Sequence, residues 1–237
     1  MLRGAFDRNL RYLQDDVLAL GSMVETFLFA SIKVLKRQDR EGARQLIADN
    51  RQVNDRRFAI EDDCLYLIAT QQPMASDLRT LAAVLEIVRQ LERIGDYAKG
   101  IGRITLMMDA EPVDHFPVEI PRMAEKTRDM LHRALDAFVY KDLELARAIP
   151  REDDVVDALY NKVYEDLLGV IVARPRRMNQ ASHLLWVAHN LERGADRVTN
   201  ICERVIFSMT GQLVEMDVDD WAQNPMPTSF DRAEDNL

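Results

Sequence analysis

A short phrase, Leu91-Glu92-Arg93-Ile94-Gly95-Asp96, returns 100 residues later as Leu191-Glu192-Arg193-Gly194-Ala195-Asp196. The recurrence extends outward. Lys36-x-x-Asp39 answers Tyr140-x-Asp142, Ala43-Arg44 answers Ala146-Arg147, and Val53-Asn54 answers Val156-Asp157, at an offset of 103; Pro73 against Pro175 gives 102. The drift is a small deletion between the last two helices of the second copy, where a loop absorbs it. A chain that repeats itself this way builds one unit twice, and the period of its apolar residues says what that unit is made of.

That period is helical. Phe6, Leu10, Leu13, Val17, Leu20, Val24, Phe27 and Leu35 recur at three- and four-residue steps and predict a first helix over 4–37, roughly 50 Å long at about 1.5 Å per residue. Asp39 is placed to cap a second helix, carrying Ala43, Leu46, Ile47, Val53, Phe58, Ile60, Leu65 and Ile68 inward until Gln71-Gln72-Pro73 ends it. Ser76 is placed to cap a third, with Asp77 in the first turn facing the positive end of the helix dipole. Its inward stripe is Leu78, Leu81, Leu85, Val88, Leu91, Gly95, Ala98 and Gly102, small enough late on for a neighbouring helix to come close.

The stretch around Pro112, Pro117 and Pro121 has the composition of a linker. Beyond it Met123, Met130, Leu131, Leu135 and Phe138 mark a fourth helix, Asp142 opens a fifth that runs to Arg174-Pro175, and a sixth spans 179–209. The expectation is an all-α chain of six long helices in two tandem, similar three-helix bundles. Residues 1–111 form the first, 112–121 the linker and 122–212 the second, with an acidic, disordered tail over 213–237.

The formal charge of −9 argues against binding nucleic acid or an anionic membrane. No stretch has the uninterrupted apolar length of a signal peptide or a membrane span, so the expected location is cytoplasmic, without direct membrane insertion. Cys64 and Cys202 lack the spacing of a zinc site and read as small buried residues. There is no phosphate-binding Gly-rich loop, nucleophile elbow or His-Glu-x-x-His, so no enzyme is expected.

Chemistry is concentrated in the repeated phrase. Glu92 with Asp96, and Glu192 with Asp196, stand four apart and share a helix face. In the second copy the stripe continues through Asn200 and Glu203; the first copy has Gly100 and Arg103 there. Asp157 likewise answers Asn54. Like charges at this spacing repel, so the stripes read either as a face neutralised by Arg93, Arg193, Arg197 and Arg204 or as oxygen ligands. Such ligands suit magnesium, calcium, manganese or iron, with zinc less natural, and favour the C-terminal half.

The phrases Gln72-Pro73-x-Ala75-Ser76-Asp77-Leu78-Arg79, Leu91-Glu92-Arg93-Ile94-Gly95-Asp96, Arg151-Glu152-Asp153-x-x-Val156-Asp157 and Leu191-Glu192-Arg193-x-x-Asp196-x-x-x-Asn200-Ile201-Cys202-Glu203 together resemble the PhoU family of bacterial phosphate-transport accessory proteins, over residues 5–212. The resemblance implies two similar three-helix bundles and a cytoplasmic, non-enzymatic negative regulator of phosphate uptake and the phosphate-starvation response. The implied partners are the ATPase subunit of the phosphate ABC transporter, a phosphate-sensing histidine kinase and a second copy of the chain. Iron or zinc clusters are also implied, with Glu92, Asp96, Asp157, Glu192, Asp196, Asn200 and Glu203 as candidate ligands. Gly194-Ala195, where the family pattern has Ile-Gly, departs from it, as do Gly100 and Arg103.

Overall fold

A computed structural model of the chain describes residues 2–108, 113 and 115–216. Of the expected disordered tail over 213–237, residues from Asp217 onward lie outside this set, while 213–216 are described and fold back, with Val214 and Met216 packed against the core. Among the described residues all regular structure is helical. The first repeat is α1 (Leu2–Arg37), α2 (Arg40–Gln71) and α3 (Ala75–Met107); the second is α4 (Glu119–Tyr140), a short α5 (Leu143–Ala148), α6 (Asp153–Ala173) and α7 (Met178–Thr210). Six of these are long, as the periodicity predicts.

The duplication is visible down to single turns. After α1, Gln38 takes a left-handed conformation (φ 50°) and Asp39 Oδ1 accepts the Gly42 N–H at 2.9 Å. After α4, Lys141 does the same (φ 55°) and Asp142 Oδ1 accepts the Leu145 N–H at 2.9 Å. In both copies a left-handed residue reverses the chain, and the aspartate satisfies an N–H that the first helical turn leaves without a partner.

Three local expectations are corrected. The fifth helix does not run unbroken from Asp142: Pro150 lacks an N–H and its ring crowds the carbonyl one turn back, so the chain tightens into a 3₁₀ turn over Ile149–Glu152 before α6 resumes. The third helix starts earlier than Ser76. Met74 is its N-cap, with no side-chain cap, and Ser76 sits in the first turn, where its carbonyl accepts the Thr80 hydroxyl. Phe58, Leu65 and Leu78 do not face inward but are 57%, 56% and 44% exposed. On α2 the buried stripe is Ala43, Leu46, Asn50, Val53, Ile60, Cys64 and Leu67, a spacing that puts Phe58 and Leu65 on the opposite side.

The two repeats share one core. α1, α3, α4 and α7 form the centre; α2 flanks α1 and α3 on one side, and α6 flanks α4 and α7 on the other. A single apolar cluster runs from Phe6 to Ile206 through both repeats. α3 is apolar around most of its circumference, with Leu81, Val84, Ile87, Leu91, Ile94 and Ile101 all fully buried, because it packs on α2 and also along α7. At about 1.5–3 kcal/mol per large buried side chain, this second apolar side is what holds the repeats together. α1 is long and apolar enough to cross a membrane by length and composition, yet its Leu13, Val17, Leu20 and Val24 lie in this core.

Candidate functional site

In the first repeat the stripe is positioned by close approach of two helices. A Cβ on Gly95 would stand 3.2 Å from Asn50 Oδ1 and 3.3 Å from Val53, and one on Gly102 would stand 3.0 Å from Leu46. The small residues of α3 therefore admit α2, as expected, and bring Asn50 to Asp96. Asn50 is 1% exposed; its Nδ2 donates to Asp96 Oδ1 at 2.9 Å, and Lys99 Nζ lies 3.1 Å from the same oxygen. Burial, and then the neighbouring Asp96 charge, push the Glu92 carboxyl above its ordinary range, while Arg57, Arg93 and Lys99 pull it back. Arg57 is shared, since its guanidinium also bonds Glu61 at 2.8 Å.

The second repeat places different residues around the matching carboxylates. At the offset of 103, Asp153 stands where Asn50 does and Tyr160 where Arg57 does. Burial and the Glu192 charge push the Tyr160 hydroxyl above its ordinary range. His189, whose ring lies 6.4 Å from that of Tyr160, brings Nδ1 to 3.3 Å from Glu192 Oε2. Arg193 reaches Asp196 at 3.5 Å. Asn200 turns its amide back to the Asp196 carbonyl oxygen at 3.0 Å. Glu203 is 5% exposed and accepts the Met216 N–H at 2.8 Å, with Arg204 at 3.5 Å. Asp157 lies exposed on α6.

The structure thus keeps Glu92 with Asp96 and Glu192 with Asp196, but sends Asn200 to its own helix and Glu203 to the segment that folds back after α7. Among the described residues no three His, Cys, Asp or Glu side chains are grouped so as to hold a metal ion. As placed, these donors do not assemble the centre that iron or zinc would need: an ion at Asp96 would have to displace an amide and an ammonium. The thiols add nothing, because burial pushes Cys64 and Cys202 up to about 12 and neither offers a thiolate.

The two phrases also meet each other. A Cβ on Gly100 of α3 would stand 3.3 Å from Asn190 of α7, and the Arg193 guanidinium donates to the Tyr97 hydroxyl, the bond that chiefly holds its pKa up. As numbering rises along α3 it falls along α7, so the helices are antiparallel and the repeated phrase lines a seam between the repeats. Asn50, Tyr97, Tyr160 and Met216 are members of this site that the spacing of carboxylates does not reveal. The register of the repeat carries a signal for two of them, since it pairs Asn50 with Asp153 and Arg57 with Tyr160.

Known proteins share the two-repeat helical fold. The family model described as the PhoU domain matches twice, over residues 17–105 and 120–205, one match on each repeat. The chain is 34% identical over 217 residues to a phosphate-specific transport system accessory protein PhoU homolog of Clostridium acetobutylicum, covering 91% of this chain and 99% of that one. It is 33% identical over 211 residues to the phosphate-specific transport system accessory protein PhoU of Escherichia coli K12, covering 89% and 88%. Among solved structures, the phosphate transport system regulatory protein PhoU from Streptococcus pneumoniae superposes with a TM-score of 0.82 at 28% identity, over 89% of this chain and 99% of that one. PhoU from Pseudomonas aeruginosa gives 0.82 at 30%, over 87% and 100%. With both repeats matched and nearly the whole length of each relative accounted for, the chain belongs to the PhoU family.

Proposed function

We propose that this protein is an accessory regulator of phosphate transport: a cytoplasmic, non-enzymatic adaptor that restrains phosphate uptake and the phosphate-starvation response when phosphate is ample. One observation carries the reading, the match of both repeats to proteins named as accessory to, or regulatory of, phosphate transport. The proposed partners are the ATPase subunit of the phosphate transporter and a phosphate-sensing histidine kinase, with the adaptor itself a homodimer. Iron, zinc, magnesium or manganese forms no part of the reading, because no observation beyond the acidic stripes favours it. Deleting the gene should raise phosphatase expression in phosphate-rich medium, and unchanged expression would overturn the regulatory role. Affinity capture at high and low phosphate tests the adaptor arm. The expected result is that the ATPase and a kinase co-purify more at high phosphate, and recovery of neither rejects it.

A further inference from the structure

Where α1, α3, α4 and α7 come together at one end, they form a half-open cavity of about 290 Å³ away from both acidic stripes. This lies at the small end of the ~300–1,000 Å³ typical of small-molecule sites. Its apolar lining is Leu10, Phe138 and Met209; its charged lining is Arg79, Lys141 and Asp77, so two cations face one carboxylate. Two hydroxyls on the wall are already committed, Thr80 donating to the Ser76 carbonyl at 3.2 Å and Ser208 to the Val205 carbonyl at 2.7 Å. The Gln14 amide and the Ser76 hydroxyl complete the polar lining, and the positive charge that an anion would meet comes from Arg79 and Lys141.

Arg79 is the unusual member. Its stem lies against the end of α7, since a Cβ on Gly211 would stand 3.5 Å from both its Cδ and Nε. Its Nε is buried and has no hydrogen-bond partner among the described residues. A buried charged donor left without an acceptor is costly, and an anionic oxygen is the acceptor that suits a guanidinium best. Lys141 is held at the rim by its left-handed backbone, φ 55°, after the last turn of α4. Asp77, 9% exposed in the first turn of α3, gives the wall an acceptor.

We propose that this cavity binds a small protonated oxyanion, with Arg79 and Lys141 holding the charged oxygens and Asp77 accepting the proton the anion carries. Hydrogen phosphate has such a proton, whereas sulfate at neutral pH has the charge and shape without it. The proposal rests on the cavity alone and not on the regulatory reading. Binding without any effect of gene deletion on phosphatase expression, or the reverse, tells the two apart.

The test is calorimetric titration of the full chain with inorganic phosphate and with sulfate at constant ionic strength. Three chains are compared: wild type, Arg79→Met, and Lys141→Asn, which keeps a residue tolerant of positive φ. Wild type should saturate with phosphate, more tightly than with sulfate. Affinity should fall by about tenfold in Arg79→Met and by several-fold in Lys141→Asn, with thermal unfolding of Lys141→Asn unchanged. If Arg79→Met does not fold, Lys141→Asn decides alone. Failure of wild type to saturate, or equal phosphate affinity in wild type and Lys141→Asn, overturns the site. Equal affinity for phosphate and sulfate overturns the role of Asp77.

Discussion

At Asp96 a buried amide and an ammonium converge on one carboxylate oxygen, Asn50 Nδ2 at 2.9 Å and Lys99 Nζ at 3.1 Å. Replacing Asn50 by the aspartate that the second repeat carries at Asp153 removes the amide donor and sets a second negative charge beside Asp96. Asn50→Asp is expected to cost about 1–3 kcal/mol, read as a lowered denaturant midpoint; an unchanged midpoint would show that the amide is not holding Asp96. Glu92 is the opposite case. Its folded pKa lies above the unfolded value, so the folded state binds more protons and the group's contribution worsens as pH rises through the folded pKa. Glu92→Gln should therefore raise Tm at neutral pH, because it removes the cost of burying the charge and then the repulsion from Asp96, the like-charge pair alone accounting for about 0.2–0.5 kcal/mol. The gain should vanish near pH ~3.5, where the carboxyl is protonated in both states. A gain that persists there would mean the effect is packing and not charge.

At the scale of elements, the join between repeats depends on how near α1 comes to α4. A Cβ on Gly21 would stand 2.1 Å from Leu135 Cδ1, so Leu135, 2% exposed in the core, would have to shift to admit it. Gly21→Ala is expected to cost about 1–3 kcal/mol through overpacking. Gly169 is the control, since its Cβ would meet nothing within 4 Å on the outer helix α6. Gly169→Ala should gain about 0.5–1 kcal/mol from helix propensity alone. Chemical denaturation of both variants checks the pair, and equal effects of one sign would contradict the placement of α1 on α4. Helix ends and turns were readable from local sequence: Asp39 and Asp142 cap where expected because a cap needs only its own next three residues. The break at Pro150 follows a local rule too, but the repeat register does not show it, since the matching place in the first repeat, Ile47, lies in an unbroken helix. The exposure of Phe58, Leu65 and Leu78 was not local, since it depends on how each helix rotates against its neighbours.

Across the whole molecule, a core that passes from α1 to α7 couples the repeats. Chains above ~150 residues often unfold in stages, yet calorimetry is expected to show one transition here, and two resolved peaks would show that the repeats melt apart. Acid should lower that single transition from the second repeat. Glu119 is drawn below its ordinary range chiefly by its bond to Lys162 across α4 and α6. Glu152 is drawn down by Lys126 and Arg133 against a burial that alone would raise it. With folded pKa values below the unfolded ones, their stabilisation is present above pH ~4.3 and is lost as pH falls through the folded values.

The helices, their duplication, the aspartate caps at Asp39 and Asp142 and the two acidic stripes are all legible in the chain alone, because period, local capping and repeat register are properties of residues close in sequence. Tertiary structure decided which sides of α3 are buried, that the repeats share a core, and what each carboxylate meets: Asn50 and Lys99 at Asp96, His189 and Tyr160 near Glu192, the Met216 N–H at Glu203. The physical reason is that a side chain's partner lies across a helix–helix contact. Small residues such as Gly95 and Gly21 set how close that contact comes, and the spacing of charges along one helix carries no record of it.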